Sequence, residues 1–202
     1  MILKLFRSSS PAPNIRDLYG AIVAQARKPA FYAGYGVPDT VEGRFDLIVL
    51  HLVLVLAQTG RPQEPNAPPD DGAAGRDVGQ KLFDEFCRDL DDNLREMGVG
   101  DLTVPKKMRS FAEAFYGRQA AYVAALEASD QRELEYALAR NIFGDTEAGA
   151  GPARLAGYVR SALARFKAQE PSALEAGLWR GQVAFPEPES VPALTTKTVQ
   201  NG

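Results

Sequence analysis

The chain has 202 residues, 45% hydrophobic and 24% charged. A chain of that size buries roughly 70% of the surface it exposes when unfolded, so it folds without a metal or disulfide staple, and collagen-like, mucin-like and wholly disordered classes are excluded. The balance of 23 Lys and Arg against 26 Asp and Glu, net −3, argues against dedicated nucleic-acid binding, which needs a basic excess.

Cys87 is the single cysteine and His51 the single histidine. They exclude an internal disulfide, a CxxC metal or redox site and a histidine-rich zinc site, and they fit a reducing, cytoplasmic compartment. Residues 1–7 contain apolar residues, but the run is broken by Lys4 and is too short for a signal-peptide core. The longest apolar stretch, residues 47–57, falls short of the ~18 residues of a membrane span and reads as a buried core helix. A soluble chain, not exported by this route, is expected.

Helical spacing begins at residue 14. Ile15, Leu18, Tyr19, Ile22, Val23 and Ala26 form one apolar stripe, with Asn14 as the predicted cap, Asp17 in the first turn and Pro29 as the stop. A connection rich in glycine and aromatics follows at residues 31–38. Asp39 or Thr40 then caps a second helix through Val41, Phe45, Ile48, Val49, Leu52 and Leu56. Its middle is apolar nearly all round, which predicts the central helix of the fold.

Residues 60–75 carry Pro62, Pro65, Pro68, Pro69, Asp70, Asp71, Gly72 and Gly75, a mobile loop by composition. A third helix is expected over residues 77–97 on Val78, Leu82, Phe83, Phe86, Leu90, Leu94 and Met97, with Gly98 just past its end. Thr103 is the predicted cap of a fourth, with Pro105 in its first turn, and that helix carries Met108, Phe111, Ala112, Phe115, Tyr116, Tyr122, Val123 and Leu126. A fifth opens at Ser129 or Asp130 and buries Leu134, Leu138 and Ile142. A sixth starts at Pro152 and buries Leu155, Val159, Leu163 and Phe166. The pattern Ser172-Ala173-Leu174-Glu175 predicts a capping box for a short last helix.

No β alternation or repeat is present. The fold class expected is all-α, a single-domain bundle of about six or seven helices. Residues 1–13 are read as a flexible N-terminus, 14–180 as the helical domain with its loop at 60–75, and 181–202 as a disordered tail.

Chemistry-bearing constellations are sparse. His51 lies in an apolar helix with no second histidine and reads as a hydrogen-bonded core residue. Cys87 sits beside the packed stripe and reads as an inert thiol. Asp89, Asp91 and Asp92 come nearest to an acidic catalytic cluster, but Asp91 has Arg95 four residues on. No catalytic residue, metal site or cofactor is expected.

Two features resist a plain structural reading. One is the turn Gly98-Val99-Gly100-Asp101 after Leu94-Arg95-Glu96-Met97, which is either a helix corner with an ion pair or a docking surface. The other is Lys106, Lys107 and Arg109 in the first turns of a helix, where the dipole disfavours cations by a few tenths to about 1 kcal/mol each. Asp101 and Glu113 are the acids near enough to neutralise them. Arg118 extends this basic face in the reading, which suits phosphates or acidic protein surface. The aromatics Phe31, Tyr32, Tyr35, Phe115 and Tyr116 are either core or the lining of a groove for an apolar helix.

A set of segments in register resembles the ubiquinol–cytochrome c chaperone family. They include Ile22-Val23-Ala24-Gln25-Ala26-Arg27, Phe31-Tyr32, Gly36-Val37-Pro38-Asp39-Thr40, Gly43-Arg44-Phe45-Asp46 and Leu50-His51-Leu52. They continue with Leu82-Phe83-Asp84, Asp89-Leu90-Asp91, the Leu94 to Asp101 turn, Val104-Pro105-Lys106-Lys107-Met108 and Phe115-Tyr116-Gly117-Arg118.

The resemblance implies a non-enzymatic assembly factor for cytochrome b of respiratory complex III. The family's mitochondrial members bind newly made cytochrome b, work with a small partner protein and associate with the ribosome. It further implies peripheral work at the inner face of the cytoplasmic membrane, and it is to bacterial members that this chain is similar. The client-binding residues expected on this footing are Phe31, Tyr32, Tyr35, Asp39, Arg44, Asp91, Arg95, Glu96, Asp101, Lys106, Lys107, Arg109, Tyr116 and Arg118. Two competing functions remain at this level. One is a ribosome- or RNA-associated factor using the basic helix start. The other is a helical enzyme, which requires convergent acids or a metal.

Overall fold

The computed structural model describes residues 14–59, 73–144 and 149–189. Eight α-helices run along them: α1 (Ile15–Ala26), α2 (Pro29–Ala33), α3 (Val41–Leu56), α4 (Ala73–Glu96), α5 (Val104–Glu127), α6 (Arg132–Leu138), α7 (Gly151–Lys167) and α8 (Pro171–Trp179). A π-helical turn, Ala139–Phe143, continues α6 and ends at Gly144 with φ 68°. No strand occurs among the described residues. The fold is an all-α single domain.

The apolar girth of α3 makes it the axle of the bundle. Leu47 to Val55 are buried without a break, so no side of the helix is left to water. Helices α1, α5, α7 and the π turn pack around it. Helix α4 covers α1 and α5, and α6 lies between α5 and α7. The α1 stripe is buried as its spacing requires, with Leu18, Ile22 and Ala26 fully inaccessible. Each buried Leu or Ile is worth about 1.5–3 kcal/mol relative to an exposed one.

Local chemistry explains several helix ends. The Thr40 hydroxyl accepts from the Gly43 N–H at 3.1 Å and caps α3. A Cβ on Gly43 would lie 2.1 Å from the Pro38 carbonyl oxygen, so only glycine lets the preceding connection fold back there. At the end of α4, Gly98 takes φ 78°. Its N–H donates to Arg95 O at 2.9 Å and the Val99 N–H to Leu94 O at 3.0 Å, which satisfies carbonyls the helix end would otherwise orphan.

Other ends differ from expectation. Pro29 does not stop α1. It opens the five-residue α2, which suits a residue with no N–H to offer, and α1 ends earlier, at Ala26. Helix α4 starts at Ala73, so residues 73–75 belong to it and only residues 60–72 of the expected loop lie outside the described residues. Thr103 precedes α5 without a side-chain capping bond. Helix α8 begins at Pro171 behind Glu170, also without one, so Ser172 is inside the helix and no capping box forms.

The largest difference is at the C-terminal side. Residues 181–189, read from composition as the start of a disordered tail, lie across the bundle without helix or strand. Val183 and Phe185 pack against the core. Phe185 meets the His51 ring edge-on at 5.1 Å and Phe166 at 5.6 Å. Gln25 Nε2 donates to Pro186 O at 2.9 Å, and the Glu189 N–H donates to the Tyr35 hydroxyl at 3.0 Å. Lys28 pairs with Glu187 at 2.5 Å. Two apolar residues with matching slots outweigh the proline-rich composition around them. Residues 1–13 and 190–202 lie outside the described residues.

Candidate functional site: the α4–α5 corner and its neighbours

Helices α4 and α5 meet at a short, rigid turn. Arg95 locks it: Nε lies 2.6 Å from an Asp91 oxygen one turn back, and Nη1 lies 2.6 Å from Asp101 across the turn. Asp91, Arg95 and Asp101 are therefore a clasp that sets the angle between the helices, and Arg95 is neutralised by two carboxylates. Glu96 beside them is exposed.

The clasp holds two apolar side chains in water. Met97 is 74% exposed and Leu102 is 97% exposed. A leucine standing fully in solvent forgoes about 1.5–3 kcal/mol of burial. Lys106, Lys107 and Arg109 follow immediately and are all exposed. No described acid, including Asp101 and Glu113, lies within ion-pair distance of them. The corner thus joins a protruding apolar tip to an uncompensated cationic helix start.

Arg118 does not extend this basic face. It turns inward to Asp46 on α3, with Nη2 2.8 Å from Oδ1, and its side chain is only 22% exposed. Asp46 is buried on an apolar helix and draws in Arg118. Burial pushes its carboxyl up to about 6, against the pull of Arg118. Asp46 Oδ1, Arg118 Nε and the Tyr122 hydroxyl are all buried there without a well-aligned hydrogen bond, so the contact is an ion pair by distance. Sequence reasoning counted Tyr122 among the apolar residues of its helix but singled out neither it nor Asp46 as part of a charged site. The available signal was a lone acid one residue before the unbroken apolar run of α3.

The aromatic candidates separate. Phe31 is fully buried and Tyr35 is 6% exposed, so neither is open to a partner, and the expectation of surface aromatics there is corrected. Phe31 packs edge-on against Tyr158 at 4.9 Å and His51 at 5.3 Å. Phe115 is core as well, whereas Tyr116 is 55% exposed. Tyr32 is half-buried and donates its hydroxyl proton to Ala26 O at 3.0 Å. It borders a depression of about 480 Å³ with Arg27, Pro29, Ala33 and the Asp39–Arg44 ion pair, whose separation is 2.7 Å. Tyr32, Asp39 and Arg44 therefore share one face, apart from the clasp.

His51 is wholly buried. Its Nδ1 donates to Leu47 O at 2.7 Å, because a carbonyl can only accept, and its Nε2 accepts from the Tyr158 hydroxyl at 2.9 Å. Gln25 Nε2 donates to the same hydroxyl at 3.0 Å. These roles require a neutral ring, and burial lowers its pKa to about 4. Cys87 is half-buried, and burial raises its thiol pKa, which makes it a poor nucleophile.

The three candidate aspartates Asp89, Asp91 and Asp92 of α4 have separate roles. Asp89 and Asp92 border one open groove with Glu85, Arg16 and Arg88, where Asp89 accepts from the Tyr19 hydroxyl at 2.8 Å, while Asp91 serves the clasp. Among the described residues no group of three or more His, Cys, Asp or Glu is placed to hold a metal ion. No described helix is long and apolar enough to cross a membrane.

Fold and site together define a helical protein whose distinctive chemistry is displayed on its surface. Residues 33–181 match the family model "Ubiquinol-cytochrome C chaperone", and the chain belongs to that family. A curated relative from Xenopus laevis, ubiquinol-cytochrome-c reductase complex assembly factor 1, is 26% identical over 125 residues. That match covers 62% of this chain and 58% of the relative, so the chain spans little more than half the relative's length. Among solved structures, the crystal structure of the Cbp3 homolog from Brucella abortus matches with a TM-score of 0.72 and 36% identity. The match covers 88% of this chain and 91% of that one.

Proposed function

We propose that this chain is an assembly chaperone for ubiquinol–cytochrome c reductase that holds newly made cytochrome b through the α4–α5 corner. Family membership supports the chaperone role. The observation that carries the choice of surface is the corner itself, where Met97 and Leu102 stand in solvent beside Lys106 and Lys107. Unassembled membrane helices expose apolar surface and aggregate, and an apolar tip next to cations suits an apolar segment flanked by acidic loop residues. Because the client is a membrane protein, the chain works peripherally at the membrane's inner face, with no catalytic step of its own. A small partner protein and the ribosome are further candidate contacts.

The experiment compares cells lacking the gene with cells carrying the parent chain, M97S/L102S or K106E/K107E. Haem-loaded cytochrome b and assembled complex III are measured in membranes, and cytochrome b is measured in pull-downs. The expected result is loss of both without the gene and weakened capture in each double variant. Normal complex III without the gene overturns the function, and unchanged capture by both variants overturns the surface. The unneutralised cations also favour a second reading, binding to ribosomal RNA. It predicts association that falls steeply with salt, and binding insensitive to salt removes it.

A further inference from the structure

The outward face of α5 is self-complementary, and we propose that the chain forms a two-fold symmetric dimer by pairing this face with a second copy in antiparallel orientation. Inward, α5 buries Val104, Phe115, Tyr122 and Ala125. Outward, it exposes Arg109, Glu113, Tyr116, Ala120, Val123 and Glu127. These positions alternate by four and three residues, the spacing of a seam that packs against another helix. Tyr116 is 55% exposed and Val123 37%. Beside them Gly117, Ala120 and Ala124 are exposed and small, which permits helix axes to approach to about 8–10 Å.

Charge selects the orientation and the partner. The N-terminal end of the face is basic at Arg109 and the C-terminal end is acidic at Glu127, and neither has an opposite charge within ion-pair distance among the described residues. A parallel pair would set Arg109 against Arg109 and Glu127 against Glu127. An antiparallel pair with its axis at the level of Arg118 sets each Arg109 against the other copy's Glu127. The same register lays each Tyr116 over the other copy's Ala120, so ring meets small residue at the crossing. One register therefore satisfies both the charges and the packing, which is what an isologous two-fold interface requires. Glu113 falls opposite Val123 in that register and weakens the contact. A single helix pair also buries less than the ~1,200 Å² of a standard interface. The dimer is accordingly expected to be concentration-dependent, in the micromolar range.

The register takes Arg109 into the dimer face and leaves the apolar tip of the client corner, Met97 and Leu102, free. At 1.5 Å per residue the two Leu102 tips stand ~50 Å apart along the paired helices. The dimer does not depend on the cytochrome b reading, and its test uses the purified chain alone.

The experiment is sedimentation velocity of the full chain over a concentration series, for the parent, R109E, E127R and the double swap R109E/E127R. The expected result is a reversible monomer–dimer equilibrium in the parent, weakened about tenfold or more by each single reversal and restored by the double swap. Ala120→Glu provides a second variant, with a carboxylate in the central layer, and is expected to leave only monomer. Helical content of every variant, and its melting at concentrations where the parent is monomeric, should equal the parent's, since all three positions are in solvent in the monomer. A parent chain that is monomeric throughout overturns the proposal. So do single reversals without effect, or a double swap no tighter than the singles.

Discussion

Asp46→Asn tests the buried charge pair between α3 and α5. Asp46 is 6% exposed, and its folded carboxyl titrates at about 6 against an ordinary 3.8. Desolvation is the main cause. Glu42 adds to it, and Arg118 opposes it without winning. The native state thus binds this proton more tightly than the unfolded chain. The stability this confers is fully present below pH 4 and is lost as pH rises through about 6. The gap of about two pKa units, at about 1.4 kcal/mol each, amounts to about 3 kcal/mol.

Asparagine is close to the protonated carboxyl in shape and cannot ionise. The variant should match the parent near pH 4, gain on it between pH 4 and 6, and stay up to about 3 kcal/mol more stable above pH 7. For a domain of this size that corresponds to a melting temperature higher by about 5–10 °C. Urea denaturation across pH 4 to 8 measures the difference. A variant destabilised equally at every pH would refute the reasoning, because Arg118 would then outweigh desolvation. A difference that does not vary with pH would refute it too.

Two further substitutions probe how the fold is closed. Gly43→Ala drives a methyl against the Pro38 carbonyl, 2.1 Å from where the Cβ must sit. It should cost about 1–3 kcal/mol or more, and a melting curve unchanged from the parent's would show that the connection before α3 gives way freely. Phe185→Ala empties the slot between His51 and Phe166 and should cost about 2–4 kcal/mol, since the ring is partly buried. Hydrogen exchange should then rise selectively at Glu189, whose N–H is held by Tyr35, and unchanged protection there would mean that residues 181–189 are held without Phe185.

The helices of this chain are legible because each carries its own apolar stripe. The spacing of Leu18, Ile22 and Ala26 and the unbroken run of α3 announce their burial before any partner is known. The two-glycine turn after α4 is legible for the same reason, since Gly98 must take a positive φ and the Arg95 clasp is local. The blocks from Ile22 to Arg118 that resemble the ubiquinol–cytochrome c chaperones lie largely within the residues that match that family.

What depended on distant partners could not be read this way. Arg118 reads as one more exposed cation until Asp46, 72 positions earlier in the sequence, is folded beside it. Phe31 and Tyr35 read as core or as groove lining until Tyr158 closes over them. Residues 181–189 read as tail because proline and polar residues dominate their composition, yet two hydrophobic anchors and a few backbone bonds suffice to lay them down. Periodicity along a helix reports which side avoids water. Tertiary structure decides which group meets that side, and whether a polar atom among those groups finds an opposite charge.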